Sequence, residues 1–596
     1  MSPAYIARWR FALVFLTIAA GYCGIIVQLY HLQISDGPRI ARMAENARER
    51  VQVQRARRGD ISDCRGNLLA ATRPVIELGV DPEGIRPEDE AKLPKLAELT
   101  GVPLAKLREL CTPGTYTSNA ELGEVRKVRW RKISDAIGDT LYDEIRALGI
   151  PAVYGNRKYV RDYPSGIAAA HMLGFVNKEE AAVTGVEYQL DYYLRGQDGW
   201  REIETDARRK EMAQFEKRSV APRDGLNVEM TLDLVIQDMV DREAEKLSQT
   251  YHPDSVVIIV SDPRSGDILG LANWPVFNPN EYWKSPVDSL RNRAVTDVYE
   301  PGSTFKIVPV AGALEEHLVT PDTLVDCKSP TAEYNGRTVR LPREDHAMGI
   351  VPVSSVVAKS SNRGSARLAM KLGDERFLDY VHSFGFGKAS GSFGTAEVRG
   401  LVNPLDKWDG LTISRMPMGH SIGVTAVQMH YAMSAVANGG VLMQPRIVSR
   451  VYDNNGETVF NFSPRVRNRV MSQQTAHALA AMLEKVPTKE GTAVRAEIKG
   501  YQVAGKTGTS QKIENGQYSH SKHVATFTGF FPASDPQIAV TVVIDNGKRP
   551  DGGVSYGGVV AAPAFKEIAQ QIIQYLAMEP PGTSGIEMLA TTDAAR

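Results

Sequence analysis

Three short patterns hold the residues of this chain best suited to chemistry. Ser303-Thr-Phe-Lys306 is an S-x-x-K, Ser360-Ser-Asn362 an S-x-N and Lys506-Thr-Gly508 a K-T-G. A spacing of three puts Lys306 beside Ser303 on one helical face, so a hydroxyl and an amine point at one spot. That is the minimum for a serine nucleophile whose proton is taken by a neighbouring base, and the reaction class it suits is acyl transfer. Glu300-Pro-Gly302 reads as a helix start and Ile307 to Leu314 as its apolar continuation. Ser303 then sits at a helix N-terminus, where its own backbone N–H can donate to a developing oxyanion.

Each pattern alone is weak. A lone S-x-x-K is also a serine N-cap followed by a solvated lysine. Ser519-His-Ser-Lys522 repeats the spacing in what reads as a polar connection ahead of a strand, with no rigid face to join the two groups. Gly500 to Thr507 also matches the phosphate loop GxxxxGK[ST], and Val542-Val-Ile-Asp545 resembles an acidic strand end that would hold magnesium. A phosphate loop needs a flexible turn and a helix opening at its lysine. Tyr501-Gln-Val-Ala504 is β-prone, and the residues after Thr507 have no apolar helical face, so the nucleotide reading fails on context. The three patterns in this order are those of serine acyl-enzymes that recognise penicillin.

The elements that must carry them are legible in outline. Val256 to Val260 and Ile268 to Ala272 form a hairpin around Asp262-Pro-Arg-Ser-Gly266. Tyr501 to Ala504, Val524 to Phe530 and Ile538 to Ile544 read as three further strands. Helical patterns cover Ser303 to Glu315, Val424 to Ala437 and Ala562 to Ala577, so an α+β fold is expected, with a five-stranded antiparallel sheet flanked by helices. From Arg55 to Arg223 the texture is charged and broken by Gly and Pro, with one helical pattern from Ala91 to Leu110, as in an irregular α+β module. The tail from Glu579 is expected to be disordered.

Phe11 to Ile34 carries no charge, and its 24 residues reach about 36 Å as a helix, enough to cross a bilayer core of about 30 Å. The run exceeds a signal-peptide core and no Ala-x-Ala follows it, which favours an uncleaved anchor. Four arginines after the segment against two before it oppose an exported bulk by simple count, but long domains cross largely regardless of charge. Tyr22, Gln28 and His31 could face another helix in the membrane as readily as they could simply anchor. The 596 residues hold 70 Lys+Arg against 70 Asp+Glu, a balance that lacks the basic footprint of a nucleic-acid binder. Cys23, Cys64, Cys111 and Cys327 show no metal or dithiol spacing. With Cys23 in the apolar run, at most one disulfide could form among the other three. His520 and His523 suit a solvated loop, and no metal or cofactor is expected.

The chain resembles the class B penicillin-binding proteins, the membrane-anchored DD-transpeptidases of peptidoglycan synthesis, and most of all their division-type branch. Arg58-Gly-Asp-Ile-Ser-Asp-Cys-Arg-Gly66 with Leu69-Ala70, Tyr163-Pro-Ser-Gly166 and Gly185-Val-Glu187 are similar to the pedestal motifs. Arg291-Asn-Arg293, Thr296 to Lys306 and Gly505-Lys-Thr-Gly-Thr509 are similar to the transpeptidase core. Two positions depart: Cys64 stands where arginine is usual, and His420, in Met418-Gly-His-Ser-Ile-Gly-Val-Thr425, where tyrosine is.

The resemblance implies a cytoplasmic tail over 1–10, an anchor over 11–34, a pedestal over 35–223, a transpeptidase domain over 224–578 and a tail over 579–596, with the catalytic domain on the outer, periplasmic side. It implies that Ser303 attacks the carbonyl between two D-alanines of a stem peptide. Lys306 would be the base, kept neutral by burial and by Lys506, Ser360 the proton relay to the leaving amine, and Asn362 the holder of Lys306 and a substrate amide. The backbone N–H groups of Ser303 and Thr509 would line the oxyanion hole, while Lys506, Thr507, Gly508 and Thr509 bind the terminal carboxylate. β-Lactams would acylate Ser303 by the same route. A membrane glycan polymerase and division proteins would be partners. A hydrolase on the same fold, either a carboxypeptidase or a β-lactamase, and a non-catalytic wall-peptide receptor are the competing expectations.

Overall fold

The computed structural model describes residues 8–39, 42–43, 49–119, 124–204, 218–514 and 516–580. The chain divides into two compact units, one of 1–57 with 195–225 and one of 58–194 with 226–596. In the first, an α-helix over Arg8–Tyr30 passes into a π-helical turn over His31–Ser35. Within Arg8–Ser35 an 18-residue window has a mean hydropathy of 2.1 and none of it is buried, so the stretch is long and apolar enough to cross a membrane. The same unit holds a three-stranded sheet of Glu49–Gln54, Gly199–Glu204 and Ser219–Val220.

The second unit is built on the sheet that the sequence anticipates. We label its strands β1 (Ser255–Ser261), β2 (Ile268–Trp274), β3 (Ala504–Glu514), β4 (Gln517–Phe531) and β5 (Ile538–Asp545). They lie in the order β2-β1-β5-β4-β3, every pair antiparallel. β1 is buried at every residue, as a strand covered on both faces must be. The helices are α1 (Leu234–Tyr251), α2 (Ile307–Glu315), α3 (Asn362–Leu372), α4 (Ala426–Ala437) and α5 (Gly557–Tyr575). Eight successive residues of α2, from Ile307 to Leu314, are buried. It packs chiefly against α3 and against the helices Asp374–Ser383 and Gln473–Leu483.

Residues 58–194 share the second unit with the five-stranded sheet. A second sheet joins Thr458–Asn461, Val448–Tyr452 and Asn227–Met230 to Ile61–Ser62, Leu68–Val80 and Arg131–Ile137, so backbone pairing links the N-terminal module to the later chain. Inside the module, Arg58 and Arg161 clamp the buried Glu187 at 2.7 and 2.6 Å. A separate small core gathers Leu78, Leu93, Leu107 and Ile145.

Four local expectations need correction. The helical pattern from Ala91 to Leu110 is two helices, Leu93–Thr100 and Leu104–Cys111, because left-handed Gly101 and the fixed φ of Pro103 interrupt it. The strand expected over Tyr501 to Ala504 begins only at Ala504 and runs on through the K-T-G to Glu514. Ser519 and Lys522 lie within β4 rather than in a connection before it, and Lys522 pairs with Glu514 across the hairpin at 2.6 Å. The helix expected from Ser303 opens with a 3-10 turn over Gly302–Lys306 before α2 begins. All four cysteines are free. Of the expected C-terminal tail, 581–596 lies outside the described residues, as do residues 1–7 of the N-terminal one.

Candidate active site

The three motifs meet although some 200 residues separate the first from the last. Ser303, partly buried, sits on the Gly302–Lys306 turn, and Lys306 beneath it is 2% exposed. The Lys306 amine donates to Asn362 Oδ1 at 2.7 Å, to the Ser360 carbonyl at 2.5 Å and to Ser360 Oγ at 3.0 Å. Lys506, fully buried on β3, donates to the same Ser360 Oγ at 3.0 Å and to the Thr507 carbonyl at 3.1 Å. One hydroxyl thus bridges two amines. The Ser303 hydroxyl itself hydrogen-bonds to neither lysine among the described residues.

Burial disfavours the charged form of both amines. Desolvation lowers the Lys306 pKa from the ordinary 10.5 to about 8, although Glu344 and Asp345 oppose the fall. Lys506 drops well below the ordinary lysine value, by desolvation first and by repulsion from Lys306 second. The two amines repel one another, and Glu344 and Asp345 offset part of the desolvation of Lys306.

The local sequence explains why these groups are held so closely. Ser360 adopts a left-handed φ of 61°, an uncommon conformation for a residue with a side chain, fixed here by the Lys306 bond to its own carbonyl. Ser361 caps α3, accepting from Gly364 N at 2.9 Å, so Asn362 is the first residue of the helix with its side chain facing Lys306. On β3, a Cβ at Gly508 would lie 2.8 Å from the Pro301 carbonyl and 3.0 Å from Thr304 Cγ2. Only glycine lets this strand lie against the nucleophile turn. Thr507 Oγ1 lies 2.8 Å from Thr492 Oγ1, and Thr509 Oγ1 accepts from Gly557 N, the first residue of α5, at 3.0 Å.

Two participants have roles that the sequence does not announce. Glu344 accepts from Ser361 Oγ at 2.5 Å and from the backbone N–H groups of Asn362 and Arg363, both at 2.9 Å, which anchors the N-terminus of α3. Its position in an irregular loop hides it. The second is Glu300, just before the nucleophile turn. It accepts from Ser421 N at 2.8 Å and Tyr518 OH at 3.2 Å, and His420 Nδ1 lies 3.1 Å from its other oxygen. His420, the departure noted in the sequence, thus helps to tie the outer end of the β3–β4 hairpin to the turn before Ser303. The phosphate-loop alternative fails on geometry, because Lys506 lies inside a strand and no helix opens there.

A buried serine–lysine–lysine centre across a strand and two helix starts is the arrangement that the family comparison explains. Residues 256–570 match the penicillin binding protein transpeptidase domain, and residues 53–230 the penicillin-binding protein dimerisation domain. The chain belongs to the penicillin-binding transpeptidase family. Stage V sporulation protein D of Bacillus subtilis is 32% identical over 561 residues, 93% of this chain and 84% of that protein. Peptidoglycan D,D-transpeptidase FtsI of Escherichia coli is 28% identical, over 96% of this chain and 92% of that one. Among solved structures, penicillin-binding protein 3 of Mycobacterium tuberculosis complexed with aztreonam superposes with a TM-score of 0.66 at 27% identity, covering 89% of this chain and 98% of the other. The penicillin-binding fold and its N-terminal dimerisation module are thus common to all these chains.

Proposed function

We propose that the protein is a peptidoglycan D,D-transpeptidase in which Ser303 forms the acyl-enzyme and which β-lactams inactivate by acylating the same hydroxyl. One observation carries this reading: two buried lysine amines share the Ser360 hydroxyl beside the turn that presents Ser303. Ser303 Oγ attacks the carbonyl between the two D-alanines, and its proton passes to neutral Lys306. The oxyanion is held by the backbone N–H groups of Ser303 and Thr509, and loss of one such donor typically costs about 3 to 4 kcal/mol. Ser360, bonded to both lysines, carries the proton to the leaving D-alanine amine as the carbonyl re-forms. Asn362 holds Lys306 and the substrate amide, and Lys506 with Thr507, Gly508 and Thr509 binds the terminal carboxylate. An amine from a second stem peptide then attacks the ester, the new amide forms and Ser303 recovers its proton.

The apolar helix over Arg8–Ser35 supports a single-pass anchor, and the chemistry requires the catalytic part on the outer face of that membrane. The division into tail 1–10, anchor 11–34, pedestal 35–223, transpeptidase 224–578 and C-terminal tail 579–596 is part of this reading. A septal role, with a membrane glycan polymerase and division proteins as partners, is part of the same reading.

The test is turnover of an acyl-D-alanine thioester with and without a D-amino acid acceptor. Transfer to the acceptor that is lost in Ser303→Ala, with thermal unfolding unchanged, is the expected result. Release of free acid alone, or rapid destruction of penicillin, would make the protein a hydrolase. No turnover and no β-lactam adduct would make it a binding protein.

A further inference from the structure

The turn that presents Ser303 is gripped from two sides. A Cβ at Gly302 would lie 3.1 Å from the Thr509 carbonyl and 3.4 Å from Thr509 N on β3, and one at Gly419 would lie 2.1 Å from the Gly302 carbonyl. Gly302 N also donates to the Gly419 carbonyl at 3.2 Å. The backbone just before Ser303 is thus held between the Gly419 loop and β3. How closely β3 is pressed to it decides the separation of the Ser303 and Thr509 N–H groups. β3 is buried without a break from Ala504 to Gly508, and Thr509 stands where burial begins to give way. The core therefore fixes the strand up to this residue and holds its outer part less firmly.

Side-chain ties hold that outer part instead. From Gln517 to His523 no residue of β4 is buried. Towards β5, Lys512 bonds Asp545 at 2.7 Å and Asp254 at 3.0 Å. Towards the nucleophile turn the tie is Glu300, two residues before Gly302. Its Oε1 accepts from Ser421 N at 2.8 Å and from the OH of Tyr518, which stands opposite Ile513 on the hairpin, at 3.2 Å. Its Oε2 is buried with no hydrogen bond among the described residues, and His420 Nδ1, 3.1 Å away, is the group placed to serve it. The same nitrogen lies 3.1 Å from Tyr518 OH, and the two rings meet edge to face.

We propose that Glu300, His420 and Tyr518 are positioning residues, a latch that draws the outer β3–β4 hairpin onto the Ser303 turn and so sets the Thr509 and Ser303 N–H groups on one oxyanion. The inference rests on the reading of Ser303 as the acylated serine. One carboxylate gathers a hydroxyl from β4, a backbone N–H from the loop after Gly419 and the imidazole of that loop, so the hairpin and the loop are joined at the residue that leads into the nucleophile turn. Hydrogen bonds to a carboxylate are stronger than neutral ones, and the Glu300 side chain, only 10% exposed, is little screened by water. Misplacing a group by about 1 Å in such a site can cost about a hundredfold in rate, so a tie that never touches substrate reaches the chemistry through geometry.

Stopped-flow acylation of the full-length protein by a fluorescent penicillin separates the affinity of the encounter complex from the acylation rate constant. Tyr518→Phe is expected to lower that rate constant about threefold and His420→Ala about tenfold, with encounter affinity unchanged. His420→Asn, whose amide keeps a donor near the place of Nδ1, should recover most of the rate. In a Glu300→Ala background the further change Tyr518→Phe should add nothing, because the hydroxyl acts through that carboxylate. Without drug, the amides of 517–523 should exchange hydrogen faster in Tyr518→Phe and His420→Ala than in the wild type. Unchanged acylation rate constants in both variants overturn the latch, even where thermal unfolding falls, since that is the mark of a brace with no part in the chemistry. Weaker encounter with an unchanged acylation step overturns it as well, and makes the two residues contacts of the drug. In both cases the wild type still acylates at Ser303. No Ser303 adduct in the wild type overturns the acyl-enzyme reading and the latch with it.

Discussion

If Lys306 is the base, acylation must follow its deprotonation, and its surroundings place that event near neutrality. With a pKa lowered by burial to about 8, the amine is neutral in about one-tenth of molecules at pH 7 and about nine-tenths at pH 9. The second-order rate constant for acylation by a fluorescent penicillin should therefore climb about tenfold between those values and level off above. The same displacement has a signature in stability. A lysine whose folded pKa lies below its unfolded value binds fewer protons when folded, so stability rises with pH from about 8 to 10.5. The gap between those two values corresponds to about 3 kcal/mol. Urea unfolding of wild type and Lys306→Met across that range isolates it, because the difference between the two proteins should narrow only there. Stopped-flow acylation from pH 6 to 10 supplies the kinetic half. A rate that is flat through pH 7 to 9, or that falls, would refute the assignment of Lys306 as the base.

Glu344→Ala should move that kinetic midpoint to lower pH, because the carboxylate opposes the fall of Lys306. It should also cost about 1 to 3 kcal/mol in urea unfolding, as the backbone N–H groups of Asn362 and Arg363 lose their acceptor. Gly508→Ala should slow acylation by at least about tenfold while KM for a thioester rises, since its methyl would meet the Pro301 carbonyl 2.8 Å away and push β3 off the nucleophile turn. Asp241→Asn should stabilise the protein above neutrality. Burial raises that carboxyl from 3.8 to about 7 and leaves one oxygen without a hydrogen bond. The folded state then binds the extra proton, so wild-type stability falls as pH rises from about 4 to 7, by up to about 4 kcal/mol, and the amide variant should be flat in that window.

Chemistry was more legible in the sequence than the strand that carries part of it. Lys306, Ser360, Asn362 and Lys506, which the structure brings into one hydrogen-bonded cluster beside the Ser303 turn, could be picked out because each motif is local and its order along the chain is informative. The sheet was legible wherever a strand is buried on both faces, as in Val256 to Val260 and Ile538 to Ile544, because its residues are then continuously apolar. β3 escaped in part because Gly505-Lys-Thr-Gly-Thr509 must be small and polar to lie against the nucleophile turn, a composition that resembles a loop. The outer part of the β3–β4 hairpin, including Ser519 and Lys522, is held by backbone pairing beyond the core, which leaves no hydrophobic pattern to read. The roles of Glu344 and Glu300 were invisible for another reason. Their work depends on which backbone groups a distant helix start or loop presents, and spacing along the chain carries no record of that.

The central claim is that the Ser303 hydroxyl is the group that two buried lysines make nucleophilic. Exposure of the full-length protein to benzylpenicillin, followed by intact mass measurement and tryptic mapping, tests it most directly. The account predicts one stable penicilloyl adduct per chain on the peptide from Ala294 to Lys306, located at Ser303 and absent from Lys506→Ala as well as Ser303→Ala. An adduct on any other residue, or undiminished labelling of Ser303 without Lys506, would contradict it.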